Sequence, residues 1–165
     1  MLKIVRSIRE LDFRNLADVY EQSCIERGSK QYGNYPTSQQ MLLSEQDLYG
    51  EVKCFLADPK AFYALWEEQG RYISVLRMEP YKDGLLLEGL ETVPAERKKG
   101  YAKRLIMGVL AHLERSGAVI YSHVEKKNTA SMAVHLSCGF EKISDHAVYV
   151  DGSVSYNGYT LQKKL

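Results

Sequence analysis

The strongest periodic signal in the chain lies between residues 102 and 113. Ala102, Leu105, Ile106, Val109, Leu110 and Leu113 recur at i, i+3, i+4, i+7, i+8 and i+11, the apolar stripe of a helix buried along one side. Gly117 is placed to end it, and AVIYSHV (118–124) follows as a buried strand. Upstream, Ala61–Trp66, Arg71–Met78 and Leu85–Val93 read as strands, the last two joined through Asp83-Gly84 as in an antiparallel meander. Cys54–Ala57 is a shorter strand-like run. Leu2–Ile8 alternates as a first strand, and Asp12 can cap a helix carrying Leu16, Val19 and Tyr20. That pattern dissolves in RGSKQYGNYP (27–36). Pro36 and the pair Thr37/Gln40, spaced like a capping box, open a second helix to about Tyr49. Ala130–Ser137 predicts a short helix, and strands at Phe140–Val150 and Val154–Gln162 close the chain around Asp151-Gly152. The resulting order, β-α-α-β-β-β-α-β-α-β-β, has one obvious crossover unit, from strand 85–93 through the long helix to strand 118–124, and such units lay parallel strands side by side.

Composition narrows this to one domain spanning 1–165, since no linker, repeat or low-complexity tract interrupts it. Charges nearly cancel at +1, whereas a nucleic-acid binder usually carries a large basic excess. Three cysteines, Cys24, Cys54 and Cys138, form no CxxC pair and point to a reducing cytoplasm. The N-terminus lacks the apolar run of a signal peptide, and no stretch approaches the ~20 residues of a membrane span. No His/Cys pair has ligand spacing, so no metal is expected.

The chemistry is concentrated in ERKKGYAKRL (96–105), where the strand ending at Val93-Pro94 turns into the long helix. Helix N-termini carry unpartnered amides and favour negative charge. Basic residues in a first turn oppose the usual preference, so helix stability does not explain Arg97, Lys98, Lys99 and Lys103. An anionic ligand does. Gly100 lets a pyrophosphate approach the backbone, and Ala102 is too small to block it.

This stretch resembles motif A of the GCN5-related N-acetyltransferase (GNAT) superfamily, Arg/Gln-x-x-Gly-x-Gly/Ala, through Arg97-Lys98-Lys99-Gly100-Tyr101-Ala102. NTASMAVHLSCGF (128–140) resembles a second family motif at the expected separation. The resemblance implies an α/β (α+β) fold with a mixed, mostly antiparallel sheet of about seven strands flanked by about four helices. It implies acetyl-CoA as donor, with Leu90, Glu91 and Thr92 pairing the pantetheine arm, the turn from Arg97 through Tyr101 to Lys103 around the pyrophosphate, and Asn128 touching the cofactor. It also implies a possible homodimer, and a loop between the first two helices, here with Tyr32 and Tyr35, that borders the acceptor.

Acetyl transfer to an amine needs a neutral nitrogen, a stabilised oxyanion and a proton for the thiolate. Many relatives carry a tyrosine acid four residues before the glycine that stands here as Gly139; this chain has His135 instead. Glu88, an acid among leucines, and His123, on the strand after the long helix, are the candidate bases, with water-mediated deprotonation as the third option. The structural readings are an ion pair from Glu88 to Arg77 and a hydrogen-bonded strand-edge histidine. The sequence therefore predicts an acetyl-CoA-dependent N-acetyltransferase acting on a primary amine, small molecule or peptide, by direct attack in a ternary complex. A CoA-binding sensor module is the alternative that the absent tyrosine keeps open.

Overall fold

The computed structural model describes all 165 residues. Strand β1 (Leu2–Val5) leads through a 3-10 turn to α1 (Phe13–Val19), capped by Asp12, whose carboxylate accepts the Asn15 amide at 3.1 Å. After a break at Tyr20 come α2 (Glu21–Gln31) and α3 (Thr37–Phe55). Then follow β2 (Phe62–Glu68), β3 (Arg71–Tyr81), β4 (Gly84–Thr92), α4 (Tyr101–Leu113), β5 (Val119–Glu125) and α5 (Thr129–Ser137). The chain closes with β6 (Glu141–Ser144), the small hairpin β7 (Ala147–Val148) and β8 (Val154–Ser155), and β9 (Gly158–Lys164). The central sheet runs β1-β2-β3-β4-β5-β9-β6, and only the β4–β5 pair is parallel.

Each sheet face buries its own core. Phe62, Leu76, Met78 and Leu87 pack with Leu105, Ile106, Val109 and Leu110, so the apolar stripe of α4 lies where its period predicts. On the other face Tyr63, Leu65 and Val75 pack against Leu16, Val19, Leu48 and Val52 from α1 and α3.

Four local expectations are corrected. Residues 27–31 continue α2 rather than opening a loop. Gly28 faces the Gln40 backbone so closely that a Cβ would stand 2.8 Å from its carbonyl oxygen, and this glycine serves helix packing. Cys54 ends α3 instead of starting a strand. The Thr37/Gln40 capping box does not form, because Pro36 occupies the cap and the Gln40 amide donates to the Tyr35 carbonyl at 2.7 Å. The long strands read at 140–150 and 154–162 are each interrupted, which creates the β7–β8 hairpin. Five α-helices flank the sheet because the first predicted helix is divided at Tyr20.

Candidate functional site

The site begins where β4 and β5 part. Their pairing covers only Leu85–Leu87 against Ile120–Ser122, with the Ser122 hydroxyl 3.1 Å from the Leu87 carbonyl at the last pair. From Glu88 to Thr92 the β4 edge has no strand partner on the β5 side. A bulge sharpens the divergence. Between the pairs Val75–Glu91 and Arg77–Glu88, the single residue Leu76 of β3 stands against two of β4, Leu90 and Gly89, and Gly89 takes φ +59°, the left-handed conformation glycine tolerates. Tyr20, at the α1–α2 break, donates its hydroxyl to the Gly89 carbonyl at 2.7 Å and fixes the bulge from above.

A cleft of about 710 Å³ runs along this free edge. One wall is Leu90, Glu91 and Thr92. The end is the turn Lys98, Gly100, Tyr101, Ala102 and Lys103, and the far wall is α5 through Ala130, Ser131, Val134 and Ser137. Gly100 is the N-cap of α4 at φ +85° and Lys98 is also left-handed at +64°; no side chain caps the helix, so the amides from Tyr101 to Lys103 have no partner in the helix. Asn128 lines the cleft while its side chain caps α5, accepting the Ser131 amide at 3.0 Å.

Of the residues the sequence assigns to the cofactor, Lys99 alone does not line this cleft; it pairs with Glu96 at 2.9 Å. Arg97 lines it, but its guanidinium donates to the Thr92 carbonyl at 3.1 Å and to Gln22 at 2.7 Å, and stands 3.6 Å from Glu91. It ties α2 to the end of β4, which leaves Lys98 and Lys103 as the open charges. Burial raises the pKa of Glu91, and the Ser23 hydroxyl, donating at 3.0 Å, works against that rise. The α2 residues Gln22, Ser23 and Glu26 escaped the sequence reading, having no local motif. The α5 residues Ala130, Val134 and Ser137 escaped it too, although their i, i+4, i+7 spacing puts them on one helix face.

A second cavity, of about 370 Å³, adjoins the bulge and is lined by Arg77, Glu88, Gly89, His123, Tyr149 and Asn157. It brings Glu88 and His123 together. Glu88 accepts from Arg77 through one oxygen, Oε2, at 3.2 Å from Nε and 2.9 Å from Nη2, so the ion pair expected across the sheet is present. The guanidinium stacks over Phe55. Burial opposes its charge, yet Glu88 holds its pKa above the ordinary arginine value. His123 has no hydrogen-bond partner at either nitrogen, contrary to the expected bonded histidine. Its ring is wedged edge-on between Tyr81 and Tyr149, with centroids at 5.5 and 5.3 Å. Burial lowers its pKa, so the imidazole is neutral at pH 7.

Three further residues stand away from both cavities. His135 is buried on the inner side of α5, its Nε2 3.0 Å from the Ser122 hydroxyl and its Nδ1 2.8 Å from the Ser131 carbonyl. Burial lowers its pKa. Its position before Gly139 is as the sequence indicates, but the helix turns it into the core and fastens α5 to β5. His135→Phe should therefore cost about 1–2 kcal/mol of stability, by removing the hydrogen bond that ties α5 to β5, without changing the shape of the pH–rate profile. A thermal midpoint and a pH series check both. Tyr32 donates to Asp47 at 2.6 Å, joining α2 to α3, and Tyr35 is half exposed beyond it. The second cavity's Arg77, Tyr149 and Asn157 come from separate elements.

The site thus joins a splayed strand pair with a bulged free edge to a helix N-terminus whose first amides are unpartnered. Residues 18–140 match the sequence model of the Acetyltransferase (GNAT) family, and the chain belongs to that family. Its fold is that of solved acetyltransferases. Among solved structures it is similar to the PaiA N-acetyltransferase from Thermoplasma acidophilum in complex with coenzyme A, at 14% identity and TM-score 0.66, covering 100% of this chain and 99% of that one. The ribosomal-protein-S18-alanine N-acetyltransferase from Escherichia coli gives 15% and 0.63 over 99% and 94%. Aminoglycoside 6'-acetyltransferase type Ii gives 15% and 0.67 over 99% and 96%. No curated protein matches the sequence at a significant level. No helix is long and apolar enough to cross a membrane.

Proposed function

We propose that the protein moves an acetyl group from acetyl-CoA to a primary amine by direct attack in a ternary complex. The observation that carries this reading is the meeting of two cavities at the β4 bulge. One is a cleft shaped for pantetheine and pyrophosphate, and the other is a compact pocket with an acid at its inner end. The unpaired edge at Leu90–Thr92 supplies strand-type hydrogen bonds to the pantetheine amides. The first-turn amides of α4 receive the pyrophosphate, with Lys98 and Lys103 adding long-range attraction. A backbone amide of the same edge faces the developing oxyanion. When bound, acetyl-CoA supplies the activated acyl carbon and a thiolate leaving group.

On the acceptor side Glu88 is the base. Its Oε2 is held by Arg77, and the carboxylate lines the pocket. His123, neutral and closed in edge-on by two tyrosines, is a wall of the pocket. With Glu88 and Glu125 at the pocket and Arg77 already paired, a cationic amine suits it better than an anionic acceptor.

Thiol release from acetyl-CoA over a panel of amines, amino acids, polyamines and peptides tests the function. Acceptor-dependent release is expected; tight CoA binding with no release across the panel would favour the sensor instead. The donor site has its own test. Gly100→Val forces a β-branched residue into a left-handed backbone, at a cost of about 1–3 kcal/mol that the loop must relieve by changing shape. Acetyl-CoA affinity should fall about 10-fold or more, whereas Lys98→Ala and Lys99→Ala should each lose no more than about 3-fold. Titration calorimetry separates these outcomes, and an unchanged affinity in Gly100→Val removes the pyrophosphate from this turn.

A further inference from the structure

Behind Glu88 lies a second carboxyl that neither cavity exposes. Glu79 belongs to β3, two residues beyond Arg77, and the register sets Arg77 opposite Glu88 and Glu79 opposite Leu86. Residues two apart on a strand share a face, so Glu79 stands diagonal to Glu88 on the side where Arg77 stacks over Phe55. The two carboxyl groups are within hydrogen-bonding reach of each other. Arg77 commits its guanidinium to Glu88 and forms no ion pair with Glu79. Only one of the two half-buried carboxyls thus holds the nearby cation, and a proton between them is the charge arrangement such a pair favours.

We propose that Glu79 and Glu88 form one proton-holding pair, in which Glu79 retains the proton that Glu88 takes from the acceptor ammonium. The proposal rests on the acetyl-transfer reading and deepens it. Glu79 does not touch the acceptor; it is a positioning residue acting through Glu88. An acceptor arriving as R–NH3⁺ passes one proton to the pair and becomes R–NH2. Its nitrogen attacks the thioester carbonyl, the C–N bond forms and the C–S bond breaks. The extra proton on that nitrogen leaves with the thiolate as CoA–SH, and the pair returns its own proton to solvent.

The surroundings agree. Burial first, then the charge of Glu88 and the hydrogen bond to it, push Glu79 up to about 7, against the pull of Arg77; Asp58, beyond α3, raises it further. The other ionisable groups facing the pair are His123 on β5, neutral for the reason given, Lys82 beside it at the β3–β4 turn, and Tyr63 and Tyr20 beside Arg77. Glu125 lines the same pocket as Glu88. Accepting a proton needs the pair ionised, so kcat/KM should rise with pH through an acid limb near 7.

Two measurements test this. In the free protein, carbon-13 titration of the glutamate carboxyls should show one group changing near pH 7 that is lost in both Glu79→Gln and Glu88→Gln. Glu91, which burial also raises, is recognised by persisting in both. A wild-type protein with no glutamate titrating between about pH 6 and 8 other than Glu91 overturns the pair. In catalysis, the acid limb of Glu79→Gln should move down by about one pH unit or more, with a lower plateau, because the remaining base is weaker. A limb that stays in place sinks the role assigned to Glu79. Should no amine support thiol release, the acetyl-transfer reading fails by itself, and the carboxyl titration still decides the pair.

Discussion

Replacing Glu88 by glutamine is expected to lower kcat about 100-fold or more while leaving the Michaelis constant for acetyl-CoA unchanged. An alkyl ammonium with a pKa near ~10 presents almost no nucleophile at neutral pH, so the proton acceptor sits on the main path of the reaction. Glutamine keeps the shape of the side chain and loses that capacity. Glu88 lines the second cavity and not the donor cleft, which is why donor binding should be indifferent. The competing view is that Glu88 exists to neutralise Arg77. That view predicts the opposite partition: a loss of about 1–3 kcal/mol in stability, since the half-buried guanidinium loses its partner, with full turnover per folded molecule. Both effects are expected together, and only the turnover distinguishes them. Steady-state rates normalised to the folded fraction, with a denaturant midpoint on the same preparation, provide the comparison. A variant destabilised but fully active would reduce Glu88 to an ion-pair partner.

The cleft beside the β4 edge was legible because its residues are nearly contiguous. Six residues, Arg97 to Ala102, carry the turn, the left-handed glycine and the helix start, and the strand before them supplies the edge. The second cavity was not legible, because Arg77, Glu88, His123, Tyr149 and Asn157 come from separate elements, gathered by the sheet and by the turns around the β7–β8 hairpin. His135 shows the limit of motif position. Its place in the sequence matches a catalytic tyrosine of relatives, but position along a helix fixes the face, and this face is core. Glycines misled for a related reason. Gly28 looked like a helix breaker and is a packing contact, and a sequence carries no mark distinguishing the two uses.

Gly84 sharpens that point, and its replacement by alanine should be among the most disruptive small changes in the chain. The sequence presents Asp83-Gly84 as a turn. In the structure Gly84 is already paired with Tyr81 in the sheet, and the turn itself is Lys82-Asp83, with Lys82 at φ +50°. Gly84 has no positive φ, so backbone freedom is not its purpose. Its purpose is proximity: a Cβ there would stand 1.9 Å from the Val119 carbonyl oxygen and 2.8 Å from its carbon. Both atoms are backbone, so no rotamer relieves the contact, and β4 and β5 must separate. They are joined at this end by three residue pairs and by the Tyr121 hydroxyl on Asp83 at 2.6 Å, so little else resists the separation. The expected cost is about 3 kcal/mol or more, or roughly 6–12 °C in melting temperature. Gly50→Ala supplies the contrast. Inside α3 a Cβ meets nothing within 4 Å, and the same substitution should stabilise by about 0.4–1 kcal/mol. Because the splay opens from the Gly84 end, the folded fraction of Gly84→Ala should also bind acetyl-CoA less tightly, although the residue lies outside the donor cleft. Equal melting of Gly84→Ala and the parent protein would show that the closed end of the splay does not depend on this contact, and the strand geometry that admits the donor would then need another anchor.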